Sequence, residues 1–229
     1  MARQIMRAPG GRAPGPAPVD AEALRMIRQR SLFMARRLGY PADVSLPLLT
    51  DRGVLRDKDE VVDRMLALDA VIACASGMPP EVAFDWVNEI GVTGALSPSE
   101  ARVLEGRAED VPAGLLDRME ALWALGWATS LFRALDYARI CGPELAMIFG
   151  ELDDARDVRA LRKRSRLRRH DEVLSACDLA RCLHRGLEVA ARKRMSLPGK
   201  IQPHVILERR KALEWLLGEE EWDEVFVRG

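Results

Sequence analysis

The chain has 229 residues, of which 48% are hydrophobic, enough for one large domain with a sizeable core. Its 35 basic residues balance its 35 acidic residues, which excludes a global field that would draw the protein to nucleic acid or to an anionic membrane. No apolar run approaches the roughly 20 residues that span a bilayer, and the N-terminus lacks the apolar segment of a secretory signal, so we expect a cytoplasmic protein with no membrane partner.

The N-terminal segment, residues 1–19, is rich in Ala, Pro, Gly and Arg and shows no periodicity. Such a composition cannot bury enough apolar surface to offset the entropy lost on ordering. We therefore predict a disordered tail over 1–19 and a single helical domain over 20–229. The first helix begins after Asp20 and stops at Gly39.

The second predicted helix runs from about Asp57 to Ser76, and Asp69 interrupts its apolar face. A break at 77–80 and a short helix ending near residue 89 follow. The next helix has a complete start signal. Ser97 is an N-cap residue, Pro98 takes the first helical position and Glu100 completes a capping box.

The run RMEALWALGWATSLF, residues 118–132, carries no charge between Ala121 and Phe132. A helix that is apolar on all sides is a buried one. Glu120 lies at helical spacing on the stripe of Trp123 and Trp127, so its carboxylate is expected near the core and in need of a partner.

Two further helices are predicted, from near Asp171 to Lys193 and from Pro203 to Gly218, with Arg209 in the middle of the apolar face of the second. No stretch alternates strictly, and the ending at 224–227 is the one candidate for a short strand. The predicted architecture is therefore all-α, in one compact multi-helix domain.

Several ionic residues fall on apolar helix faces, and buried charges require partners, so we expect them to converge from three or four helices. The candidates are Arg118, Glu120, Asp178, Arg181, Glu208 and Arg209, with Asp69 as a further member. They form either a structural ion network or a polar pocket for acid/base chemistry or ligand binding. No spacing typical of a metal site is present, so we predict no metal, no cofactor and no defined catalytic residue.

The histidines and cysteines give a weaker signal. His184 lies two helical turns after Cys177, which suggests a nucleophile or a zinc site, but the spacing matches no known ligand pattern. A small buried thiol is the alternative. His170 and His204 lie near helix starts and are expected to be exposed.

Residues 156–169 are strongly basic and are interpreted as a solvated linker, as a surface facing the acidic ending at 219–224, or as a phosphate-binding element. The candidate phosphate contacts are Arg162, Lys163, Arg164, Arg166, Arg168 and Arg169. The segment contains no aromatic residue for base stacking, so any nucleic-acid binding is expected to be weak and nonspecific.

The order of several short segments is similar to that of a known family. They are IRQRSL, LPLL, DEVVDRMLALDAVIACASGMPPEVAFDWV, LSPSEARVL, RMEALWALGWA, LRRHDEVLSACDLARCLH, VILERRKALEWL and EEEWDEV. Over about Arg28 to Val225 the chain resembles the bacterial domain-of-unknown-function family 4272.

The resemblance implies a compact helical domain and no known activity. The residues that match characteristic positions of the family are Arg118, Glu120, Trp123, Trp127, Asp178, Arg181, Glu208, Arg209, Trp215, Trp222 and Asp223. The chain departs from the family pattern at Arg210, where histidine is usual, at 184–186, where an aromatic-rich pair is usual, and at its ending.

We therefore expect a non-enzymatic cytoplasmic helical module that binds another protein, because the surface is mixed in charge and no catalytic motif is present. The first alternative is an enzyme or small-ligand binder that uses the Arg/Glu/Asp residues above. The second is weak nucleic-acid binding through 156–169.

Overall fold

The computed structural model of the protein describes residues 15–107, 114–149 and 155–227. Within these ranges the regular structure is helical, which confirms the predicted all-α class. The α-helices are α1 (Ala21–Arg37), α2 (Lys58–Ala75), α3 (Pro80–Glu89), α4 (Pro98–Leu104), α5 (Met119–Ala128), α6 (Glu144–Phe149), α7 (Ala155–Arg164), α8 (His170–Arg192) and α9 (Pro203–Leu216). Short 3-10 turns occur at Thr93–Ala95, Leu116–Arg118 and Trp222–Glu224.

Three helices begin where their capping residues predict. Asp20 accepts a hydrogen bond from the backbone N–H of Ala23, and Asp57 caps α2 in the same way. Ser97 and Glu100 form a reciprocal capping box at the start of α4. These side chains satisfy N–H groups that have no partner within the helix, so the start of each helix is encoded locally.

The helices pack in a continuous order, with α1 on α8, α8 on α9, α9 on α5, α5 on α2 and α2 on α3. Side chains from α2, α5, α8 and α9 fill the centre, among them Met65, Leu66, Leu122, Leu125, Leu183 and Ile206. None of the described helices has the length and apolar content needed to cross a bilayer.

Of the predicted tail, 1–19, residues 1–14 lie outside the part of the chain that the structure describes. The last residues of this tail, 15–19, form no helix or strand and contact the loop that follows Thr50. The backbone N–H of Val19 donates to Asp51 at 2.7 Å. A Cβ added at Gly15 would lie 2.3 Å from the carbonyl oxygen of Gly53, and one added at Gly53 would lie 2.5 Å from the carbonyl oxygen of Pro16.

The apolar run at 118–132 is helical over only part of its length. Helix α5 ends at Ala128, and Ser130 adopts a left-handed conformation with φ 61°. The N–H groups of Leu131 and Phe132 then bond to the carbonyl of Gly126. The reversal lays the Phe132 ring over Gly126, where an added Cβ would lie 2.3 Å from the ring. An alanine at 126 would therefore displace Phe132.

The ending at 224–227, the one candidate for a short strand, does not form one. Residues Trp222–Glu224 form a 3-10 turn, and the described residues that follow pair with no other strand. The Trp222 ring packs edge-on against Trp215, with centroids 5.6 Å apart, and this contact keeps the segment against α9. A strand needs a neighbouring extended segment to take its backbone hydrogen bonds.

Candidate functional site

Glu120 and Arg209 form a buried ion pair between α5 and α9. The Arg209 Nε donates to Glu120 Oε2 at 2.8 Å, and the other carboxylate oxygen accepts from the backbone N–H of Cys141 at 2.8 Å. The remaining guanidinium nitrogens donate to the carbonyls of Asp136 and Arg139 at 2.7 and 2.9 Å. Because both carboxylate oxygens and the guanidinium are bonded, the pair fixes the 136–141 loop across the two helices.

A cleft of about 450 Å³ opens beside this pair, and Arg209 forms part of its lining. Trp123 and Phe132 form one side and are stacked with ring centroids 4.1 Å apart. Ile140 and Met147 also line the cleft and are 64% and 70% exposed, respectively. The cleft therefore combines rigid aromatic surface with apolar side chains that face solvent.

Arg118 does not meet Glu120, two residues away, but bonds to Glu100. Two guanidinium nitrogens of Arg64 donate to the two oxygens of the same carboxylate, at 2.7 and 2.5 Å. Burial alone would raise the pKa of Glu100, but Arg64 and Arg118 hold it below its ordinary value. Burial raises the pKa of Glu208, and the nearby positive charge of Arg118 offsets only part of this increase.

Two arginines that were not among the predicted candidates, Arg64 and Arg56, stack on tryptophans. The Arg64 guanidinium lies 4.1 Å from the ring centroid of Trp222, and the Arg56 guanidinium lies 4.3 Å from that of Trp215. All four side chains line a cavity of about 660 Å³. Arg64 is three residues after the buried Val61, so the periodicity of α2 already placed it on the apolar face.

Asp178 pairs with Arg28, which joins α8 to α1. The Arg28 guanidinium donates to both carboxylate oxygens, the shortest bond being 2.7 Å. It also donates to the carbonyls of Leu46 and Pro47. Arg28 was not among the predicted candidates, although helical spacing places it on the same face of α1 as the buried Ser31 and Ala35.

Arg181 lies near Glu214 of α9, with 4.0 Å between its Nε and the carboxylate. Arg210 bonds to the same carboxylate oxygen at 2.8 Å. The six predicted cluster residues therefore do not converge on one site, and only Glu120 and Arg209 pair with each other. Successive residues of a helix point about 100° apart, so Glu208 and Arg209 face different neighbours.

Asp69 is a partly buried carboxyl group on α2. It makes no hydrogen bond or ion pair with any described residue, and burial raises its pKa to about 7. The expectation that Asp69 joins the other ionic residues is therefore wrong within the described residues. Burial favours the neutral, protonated form of the Asp69 carboxyl group, which needs no cationic partner.

The basic segment is a helix followed by an extended stretch rather than a linker. Val158 and Leu161 of α7 are buried. Arg162 bonds to Asp63, and Arg169 to Asp171 at 2.9 Å. The Arg168 guanidinium lies 4.7 Å from the ring centroid of Trp127 and donates to backbone carbonyls at 127 and 132. The remaining three candidate phosphate contacts, Lys163, Arg164 and Arg166, are exposed and pair with no described residue.

The model of one protein family, described as a domain of unknown function (DUF4272), matches residues 27–225. The chain belongs to this family. The match confirms the resemblance seen in the ordered segments of the sequence. No curated protein and no solved structure matches the chain.

The histidines of this DUF4272 domain differ from expectation. His170 is buried, not exposed, and its Nε2 lies 2.9 Å from both carboxylate oxygens of Asp51. His184 contacts Arg210 through Nδ1. Burial lowers the pKa of His184, and the positive charge of Arg210 lowers it further. Exposure of His204 is intermediate, not high.

Cys177, which was considered as a nucleophile or zinc ligand and as a small buried thiol, is fully enclosed. Cys177 has no exposed surface, and burial raises the pKa of its thiol far above the ordinary value. A thiol in this state is protonated at neutral pH and unreactive. Within the described part of the chain, no group of three or more His, Cys, Asp or Glu side chains is placed to hold a metal ion.

Proposed function

We propose that this DUF4272 domain is a non-enzymatic cytoplasmic module that binds a protein segment in the cleft beside the Glu120–Arg209 pair. The observation that carries the proposal is the apolar rim of the cleft, where Ile140 and Met147 are 64% and 70% exposed. Exposed apolar patches next to a cleft are typical of protein interaction sites. A small molecule enclosed by the cleft would leave these side chains in water.

The bonding at the cleft supports a binding role over a catalytic one. Both oxygens of Glu120 accept hydrogen bonds from the protein, and the Arg209 guanidinium is bonded to one carboxylate and two carbonyls. A general base needs an available lone pair within reach of a substrate proton. Trp123 and Phe132 instead offer a flat apolar surface of the kind that anchors interface residues.

Selection of peptides from a displayed library tests this function. Peptides enriched on the wild-type protein are expected to carry an apolar anchor residue. Met147→Glu should weaken their binding by about tenfold or more, because a carboxylate would be buried against the anchor. Fluorescence anisotropy of labelled peptides measures the affinity.

Val82→Glu is the matched control, since Val82 is an exposed apolar residue of α3 that does not line the cleft. It should leave the affinity unchanged. Failure to enrich any peptide, or peptides that bind Met147→Glu as well as wild type, would show that the cleft is not the binding surface.

Nucleic-acid binding through α7 and the residues after it is a second candidate function. The observation in its favour is that Arg159, Lys163, Arg164 and Arg166 are exposed and pair with no described residue. Arg162 and Arg168 bond to α2 and to the end of α5, which fixes the backbone that carries these charges. Unpaired cations on a rigid surface can contact phosphates without base stacking.

Replacement of these four cations by glutamine is expected to weaken binding to a duplex probe at low salt. The slope of the logarithm of the binding constant against the logarithm of the salt concentration should become less steep by about three to four units. The control replaces four other exposed cations, Arg30, Arg36, Arg192 and Lys193, and changes the net charge equally. Titrations across a salt series measure both. Equal losses in the two variants, or no binding by wild type, would reject this function.

A further inference from the structure

A second cavity, of about 440 Å³, lies between α8 and α9 and is closed on one side by the C-terminal segment. Leu174, Leu217 and Phe226 give it apolar walls, and three arginines, Arg52, Arg181 and Arg210, bring cationic groups to it. Its volume falls within the range of about 300–1,000 Å³ that holds small ligands in proteins. It is separate from the cleft proposed to bind a protein segment, with which it shares no lining residue.

Arg181 has unmet hydrogen-bonding capacity in this cavity. Its side chain is only 18% exposed, yet it makes no hydrogen bond to any described residue. The carboxylate of Glu214 is 4.0 Å from its Nε and is already bonded to Arg210 at 2.8 Å. Asp178 is bonded to Arg28 instead. A guanidinium carries five donors, and none of the Arg181 nitrogens is sealed from solvent, so they are available to an acceptor that enters the cavity.

The carboxylates around the cavity restrict the charge of a ligand. Asp51 is bonded to His170, and Glu220 and Glu224 accept hydrogen bonds from nearby backbone N–H groups. With Glu214, four carboxylates line the cavity, and each repels an anion that enters. Their repulsion grows with the charge of an anion, which disfavours phosphate relative to a singly charged carboxylate. A carboxylate also matches the fork geometry of a guanidinium.

We propose that Arg181 anchors the carboxylate of a small monocarboxylic acid whose apolar body packs against Leu174, Leu217 and Phe226. Two N–H groups of the guanidinium donate to the carboxylate oxygens, and the apolar walls take the hydrocarbon part. No bond is made or broken. This site is independent of the protein-binding cleft.

Titration of the full-length protein with phenylacetate and with phenylacetamide, followed by NMR, tests the proposal. Phenylacetate should saturate the protein below ~10 mM, whereas the amide, which has no charge, should bind about tenfold more weakly or worse. Inorganic phosphate should not compete. Equal binding of acid and amide, competition by phosphate, or no saturation by phenylacetate would overturn the proposal.

Two variants locate the site. Arg181→Gln should reduce the affinity for phenylacetate by about tenfold or more, while Arg185→Gln should leave it unchanged. Arg185 lies one turn further along α8, pairs with Asp43 and Glu188, and does not line the cavity. Phe226→Ala removes an exposed wall residue without disturbing the core and should also weaken binding. Wild-type affinity in both Arg181→Gln and Phe226→Ala would place the ligand elsewhere.

Discussion

Replacement of Arg209 by alanine is expected to lower the free energy of unfolding by about 3–5 kcal/mol, the usual cost of removing one partner from a buried ion pair. Arg209 has no exposed surface. The change leaves the Glu120 carboxylate buried with one remaining bond, from the N–H of Cys141, and frees the carbonyls of Asp136 and Arg139. Chemical denaturation measures the effect.

Glu120→Ala should be comparably destabilising, because it strands the guanidinium instead. Arg164→Ala is the control, since Arg164 is exposed and unpaired, and its effect should stay within about 0.5 kcal/mol. Wild-type stability in Arg209→Ala together with loss of peptide binding would mean that the pair serves recognition and not the fold.

Glu100→Ala is expected to be at least as damaging, at about 3–5 kcal/mol with a further contribution of about 1 kcal/mol from the lost capping box. The carboxylate has no exposed surface and holds Arg64, Arg118 and the backbone N–H of Ser97. Removing it leaves the Arg64 guanidinium in the core. Chemical denaturation at neutral pH measures the loss. Glu89→Ala, at an exposed position, is the control and should leave the free energy of unfolding nearly unchanged.

The effect of Glu100 also has a defined pH dependence. Because its pKa is held below the ordinary value of 4.5, its contribution is fully present above that value and is lost as the pH falls through the lower pKa of the folded protein. The difference in stability between wild type and Glu100→Gln should therefore shrink in acid. A difference that grows as the pH falls would show that the carboxylate is not stabilised by Arg64 and Arg118.

The features that were predictable from the sequence are those set by residues close in the chain. The caps at Asp20, Asp57 and Ser97 bond to N–H groups two or three residues away. The need of Glu120 for a partner followed from its place on an apolar stripe. The helical class followed from periodicity along most of the chain.

The partners of the buried charges were not predictable, because they depend on how distant helices dock. Arg28 and Asp178 are 150 residues apart in sequence. Helix α7 was missed for a different reason. Its run of basic residues obscured the spacing of Val158 and Leu161, which are buried three residues apart and mark an apolar face.

The buried arginines share a bonding pattern that reaches beyond their ion pairs. Arg28, Arg64 and Arg209 each bind a carboxylate from another element and also the carbonyl groups of a nearby loop or turn. A loop held in this way cannot open without breaking an interhelical contact. Segments that usually exchange their amide hydrogens first should therefore open together with the helices, as parts of one cooperative unit.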